Sequence, residues 1–203
     1  MPGHSSTQTT IYTVGHSNYP IEKFLELLRS HEIEVLVDTR SSPFSRFAAQ
    51  FNSDSLKAAL VSTGMRYLYM GKELGGRPEQ AEFYDAEGHA LYDRMAASPL
   101  FLEGISRLIH GVARHRIALL CSEENPASCH RRLLIGKVLA ERGIRSLHIR
   151  GDGKIQPEEE LVREEHAQED NVQPSLFAFE PAPEWKSTQS VLARKPRHSS
   201  SNR

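Results

Sequence analysis

The chain has 203 residues, with 25 lysines and arginines against 26 acids and a formal net charge of −1. That length suits one domain plus a tail, and the near-neutral charge gives no overall attraction to nucleic acid or to an acidic membrane, so contact with DNA would need a local basic patch. No apolar run approaches the roughly 20 residues that span a bilayer, and Met1 to Thr10 lacks the apolar centre of a secretory signal. The expectation is a cytoplasmic protein without membrane contact, whose two cysteines stay unpaired in a reducing compartment.

Ile11 to Val14 is β-branched and aromatic and predicts a first strand, ended by Gly15-His16-Ser17-Asn18. Pro20 opens a predicted helix with Ile21, Phe24, Leu25 and Leu28 at helical spacing. Glu34 to Val37 is a second strand running into Asp38-Thr39-Arg40, followed by a long loop through Pro43, Phe44, Arg46 and Phe47. Ser53 or Asp54 is placed to cap a helix over residues 55–61, and Arg66 to Tyr69 is a third strand. A glycine-rich, charged loop covers Gly71 to Pro78, and residues 88–97 and 99–112 read as two helices divided at Ser98-Pro99. Ile117 to Leu120 is the fourth strand, a helix from Cys129 to Arg142 has Ser128 in position to cap it, and Ile144 to Ile149 is the fifth strand. Alternating helices and continuously apolar strands predict an α/β fold: an open, mainly parallel five-stranded sheet with helices on both faces. After Gly153 the composition shifts. Residues 158–170 carry seven acids against one arginine, and prolines at 174, 181 and 183 precede a Ser/Arg-rich end. The domain is therefore set at 11–153 and a largely disordered tail at 154–203, with at most a short helix around Leu161 and Val162.

Parallel strands present their C-terminal ends on one edge, where open α/β folds place ligands. That edge would collect His16 and Ser17, then Asp38 and Arg40, then Lys72, Glu73 and Arg77, and finally Cys121, Glu123, Cys129, His130 and Arg131. Three chemistries fit this set. Arg40, Arg77 and Arg131 suit a phosphate. Cys121, Cys129 and His130, with His16 as a further donor, suit zinc or iron. A cysteine thiolate, with Asp38 or Glu123 as base, suits nucleophilic or acid–base catalysis. Each has a structural counterpart: Cys121 as a small buried hydrophobe, Asp38 and Arg40 as an internal ion pair, His16 bonded to a neighbouring carbonyl. Gly71 to Gly76 lacks the order of a phosphate-binding loop. A cysteine-phosphatase loop is excluded, since the sixth position after Cys121 is Ala127 and after Cys129 is Ile135.

Thr13-Val-Gly-His-Ser17, Val37-Asp-Thr-Arg40 with Pro43 and Ser45, Gly71-Lys-Glu-Leu-Gly-Gly-Arg77 and Cys121-x-Glu-x-x-Pro-x-x-Cys-His-Arg131 together resemble the domain-of-unknown-function 488 family over roughly residues 11–153. The resemblance implies a compact α/β domain and maps the family's motif residues onto His16, Asp38, Arg40, Glu73, Cys121, Glu123, Cys129, His130 and Arg131. It implies little about the reaction. In the tail, Gln173-Pro-Ser-Leu176-Phe177 resembles the sliding-clamp-binding peptide of bacterial DNA polymerases and repair proteins, whose Leu-Phe pair enters an apolar pocket. The leading expectation is a bacterial DNA-maintenance enzyme acting on a nucleotide or nucleic acid and recruited to the replication clamp. Asp38, Cys121, Glu123, Cys129 and His130 are the candidate catalytic groups. His16, Ser17, Arg40, Glu73, Arg77 and Arg131 are the candidate substrate contacts. The alternatives are a non-catalytic metal-binding or redox-sensing module, and a small-molecule enzyme unrelated to DNA.

Overall fold

A computed structural model describes residues 9–169 and 184–192. Six strands, β1 (Thr10–Gly15), β2 (Val35–Asp38), β3 (Arg66–Tyr69), β4 (Ile117–Cys121), β5 (Arg145–Ile149) and β6 (Ile155–Pro157), form one sheet in the order β3-β2-β4-β1-β5-β6. The first five run parallel and β6 returns antiparallel to β5. The five-stranded expectation is thus one strand short. Ile155-Gln-Pro157 is too brief and too polar to read as a strand, and an edge position tolerates its proline.

The sheet divides its side chains by the two-residue period of a strand. Ile11, Val35, Val37, Ile117 and Leu119 enter one core with α3 (Gly71–Leu74), α4 (Tyr92–Ala97), α5 (Pro99–Val112) and the helix beginning at Arg131. Tyr12, Val14, Leu36, Ala118 and Leu120 enter the other, beneath α1 (Ile21–Ser30) and α2 (Ser53–Val61). Both faces are therefore covered, as the continuous apolar strands require.

Local signals explain several boundaries. Ser98 Oγ accepts the Phe101 N–H at 3.3 Å, and Pro99 takes the first position of α5. Asn52, rather than Ser53 or Asp54, holds the cap position of α2, with its side-chain oxygen turned to the Ser45 N–H at 2.7 Å. Ser128 does not cap the next helix: the chain enters a wide π turn over Arg131–Gly136 before α6 (Lys137–Ala140), with no side-chain cap at its start. Gly143, at φ +76°, ends that helix.

Beyond residue 153, β6 leads into α7 (Glu158–Glu169), which closes on the domain rather than extending as a tail. Leu161 is buried, and the acids meet arginines: Arg132 pairs with Glu158 at 2.9 Å and Glu165 at 2.5 Å, and Arg145 pairs with Glu159 at 2.8 Å. Residues 184–192 also dock. Trp185 Nε1 donates to the Leu133 carbonyl at 2.8 Å and its ring meets Tyr92 edge-on at 6.1 Å. The clamp-like peptide, Gln173 to Phe177 with Leu176, lies outside the described residues. No described helix is long and apolar enough to cross a membrane.

Candidate functional site

The C-terminal edge of the sheet holds two adjoining groups. The first is built on β1 and β2. Asp38 is fully buried, and Arg40 grips it with Nε at 2.9 Å and Nη2 at 2.6 Å. Arg40 Nη2 also donates to the Phe51 carbonyl at 2.8 Å, and Tyr67 OH donates to Asp38 Oδ2 at 2.7 Å. Burial and that bond to Asp38 raise the Tyr67 pKa, keeping its proton in place. His16 stacks on Phe51 with ring centres 4.3 Å apart. Its Nδ1 lies 2.6 Å from the Ser17 carbonyl and must donate, which leaves Nε2 to accept from Arg40 Nη1 at 3.0 Å. Burial lowers the His16 pKa to about 4, so the ring is neutral at neutral pH and fits that acceptor role.

The second group is built on β4 and the loop after it. Cys121 Sγ lies 3.7 Å and Cys129 Sγ 3.8 Å from His130 Nδ1. His130 Nε2 faces the Thr39 carbonyl at 3.2 Å. A carbonyl only accepts, so Nε2 carries a proton, and Nδ1 is the ring atom that faces the sulfurs. A hydrogen bond from Cys129, with His130 and Arg131 nearby, holds the Cys121 thiol well below its ordinary pKa despite burial. Burial and the Cys121 charge push Cys129 the other way. The two shifts run in opposite directions, so the pair gives up one proton before the other. Burial opposes charge on His130, but the Cys121 thiolate prevails and raises its pKa. Glu123 is exposed at the rim; burial of its carboxyl and then the Cys121 charge raise its pKa. Thr39 stands between Asp38 and Arg40, so one stretch of backbone serves both groups.

Two glycines make the packing possible. A Cβ on Gly15 would run into the Glu123 carbonyl, and one on Gly76 would stand 2.7 Å from His130 Cγ. Ser17 adopts φ +45°, a left-handed conformation uncommon for a residue with a side chain. A cavity of about 350 Å³ opens beside the first group, lined among others by His16, Ser17, Arg40, Phe44, Phe47 and Ser122. Phe44 and Phe47 are 69% and 92% exposed.

The remaining sequence candidates lie apart from these two groups or serve the scaffold. Arg131 is fully buried: Nε donates to Thr13 Oγ1 at 3.2 Å, Nη2 to the Glu124 carbonyl at 2.6 Å and Nη1 to the Glu123 carbonyl, which braces the cysteine loop against β1. Glu73 pairs with Arg107. Exposed Arg77 lines a separate cavity of about 640 Å³ with Tyr69, Glu73 and Phe101, and its guanidinium has no partner among the described residues. His16 lies with Arg40, not among the sulfurs. The sequence candidates did not include Thr39, Phe51, Tyr67 or Gly76. The first two contribute backbone carbonyls, which leave no side-chain signal. Gly76 was signalled only by its place in the glycine-rich segment.

Comparison with known protein families matches residues 20–138, more than half of the chain, to a domain of unknown function, DUF488. The chain belongs to the DUF488 family. The match takes in Asp38, Arg40, Gly76, Cys121, Cys129 and His130, and begins after His16 and Ser17. In this DUF488 domain the sheet extends beyond the match, since β1 and β5 lie outside it. Searches among curated proteins and among solved structures gave no match.

Proposed function

We propose that the protein is a DNA-maintenance enzyme that binds a nucleotide or nucleic acid at this edge and acts on it with the Cys121, Cys129 and His130 group. The supporting observation is the 350 Å³ cavity at the same sheet edge, which opens beside Arg40 and His16 and reaches Ser122, the neighbour of Cys121 in the chain. A guanidinium has five N–H donors. Arg40 uses one on each Asp38 oxygen, one on Phe51 and one on His16, which leaves one N–H of Nη1 for a ligand. With the Ser17 and Ser122 hydroxyls it suits a phosphate oxygen. Phe44 and Phe47 stand in water at the same mouth and offer faces on which bases stack. Asp38 is a positioning residue in this reading: both its oxygens are engaged, and it fixes the arginine. Glu123, exposed and with a raised pKa, is the acid–base group beside the sulfurs. The peptide at Gln173, Leu176 and Phe177 recruits the protein to a sliding clamp.

The test is equilibrium binding of a fluorescent single-stranded oligonucleotide to the full chain. Stacking is worth about 1–3 kcal/mol per base, so Phe44→Ala with Phe47→Ala should weaken binding by at least about tenfold at unchanged thermal stability. Wild-type affinity in that double variant overturns the reading. A second reading, a non-catalytic thiol sensor, is favoured by the two free cysteines standing together, at 3.7 and 3.8 Å from one nitrogen of His130. Peroxide-dependent, dithiothreitol-reversible loss of both alkylatable thiols, in a chain that binds no oligonucleotide, would select it.

A further inference from the structure

We propose that Cys121, Cys129 and His130 are the protein ligands of a divalent metal centre of the zinc class, with one coordination position left to water or substrate. The inference rests on reading this edge as the reactive centre. The three donor atoms lie within 4.8 Å of one another. A tetrahedral zinc, about 2.3 Å from sulfur and about 2.0 Å from nitrogen, spaces those donors about 3.6 Å apart. The two sulfur-to-nitrogen distances here are 3.7 and 3.8 Å.

Hydrogen bonding alone accounts for less. His130 Nδ1 has one lone pair, yet two sulfurs stand on it at nearly equal range. Protons can link the ring to one sulfur and that sulfur to the other, but such a chain does not call for both sulfurs at equal range from Nδ1, as an ion shared by all three donors does. The ring is also oriented as metal-bound histidines are, with the far nitrogen donating to a carbonyl, here that of Thr39. Gly76 against the ring face admits no side chain that would displace it. Two sulfurs and an imidazole form a soft-to-borderline donor set that selects zinc or iron over magnesium or calcium.

Three protein ligands, rather than four, is the arrangement of catalytic zinc sites, which keep a position for water or substrate. Exposed Glu123 stands two residues after Cys121 in the same loop. A bound ion there would supply Lewis acidity at neutral pH. The other acid–histidine cluster, Asp85, Glu87 and His89, carries no such inference, because the Lys186 ammonium already sits 2.9 Å from Asp85.

The experiment uses the full chain, stripped by chelator under reducing conditions and then loaded with Co²⁺ or Zn²⁺. One ion per chain is expected after dialysis, with the near-ultraviolet thiolate-to-cobalt charge-transfer band. Cys121→Ser and Cys129→Ser should each lower retention at least tenfold. Because either variant could fail to fold, a second measurement uses wild type alone: Zn²⁺ should slow iodoacetamide labelling of both cysteines at least tenfold, read by peptide mass. Wild type that retains no ion, serine variants that retain it fully, or labelling unaffected by Zn²⁺ overturns the proposal. The Phe44→Ala/Phe47→Ala variant separates the two readings. Wild-type oligonucleotide affinity in that variant, with the ion retained, discards the nucleic-acid function alone. Loss of oligonucleotide binding in that variant, in a chain that takes up no ion, discards the metal centre alone.

Discussion

Arg40 shows how one side chain can belong to the core and to a site at once. It is 5% exposed and its partner Asp38 is 0% exposed, so neither charge has water to fall back on. Removing one member of such a pair leaves the other charged and unpaired, at a cost of about 3–5 kcal/mol. Arg40→Ala should therefore lower the urea unfolding free energy by that amount. Arg40→Lys should recover only part of it, because an ammonium cannot reproduce the two-pronged contact with the carboxylate. Recovery of full wild-type stability by the lysine variant would show that the paired geometry is immaterial. His16 is tied to the same arrangement. Its neutral ring accepts from Arg40, so the expectation from sequence that it bonds a neighbouring carbonyl and the expectation that it lines the site describe the same residue.

At the scale of elements, the contrast between Arg132 and Arg145 separates structure from surface charge. Arg132 is 5% exposed and holds α7 through Glu158 and Glu165, whereas Arg145 is 33% exposed and its guanidinium meets, among the described residues, only Glu159. Arg132→Ala should cost about 2 kcal/mol, discounted for the partly exposed carboxylates. Arg145→Ala should cost about 0.5 kcal/mol or less. Thermal unfolding of the two variants, at low and at high salt, checks the order. This helix also marks where the sequence stops being legible. Strands β1 to β4 are readable because each is mostly an apolar, aromatic or β-branched run between turn signals, and β5 because Ile144, Leu147 and Ile149 follow the glycine that ends a helix. Helix α7 is not, because its six acids look like a solvated tail until Arg132 and Arg145 are known to face them. The candidate site divides in the same way. A parallel sheet guarantees that residues after β1, β2 and β4 share an edge. Their sorting into an arginine group and a sulfur group depends on the Thr39 and Phe51 carbonyls and on a tyrosine from β3, none of which the one-dimensional pattern displays.

For the whole molecule, the docked stretch 184–192 ties a late part of the chain to the segment Asp85–Tyr92 and to the helix that begins at Arg131. Lys186 meets Asp85 at 2.9 Å, and Trp185 is the sole tryptophan, so its emission reports docking directly. Burial opposes the Asp85 charge, but Lys186 and the His89 backbone N–H outweigh it and hold its pKa below the ordinary carboxylate range. A depressed folded-state pKa contributes stability above the ordinary value of about 4, and that contribution is lost as the pH falls from there through the folded value. Acid titration should therefore red-shift Trp185 emission below about pH 4, and Lys186→Met should remove most of this acid step. An unchanged titration in that variant would place the transition elsewhere. A different thread links α7 to the cysteine loop. Arg131 donates to Thr13 Oγ1, Thr13 Oγ1 lies 2.8 Å from His148 Nδ1, and His148 Nε2 lies 2.9 Å from Glu158. Since the carboxylate must accept, every donor in this relay points the same way, from the strut beneath the thiols to the opening turn of an acidic helix. That helix acts as a buttress, and a protein shortened before Glu158 would stand with the far end of its reactive loop unsupported.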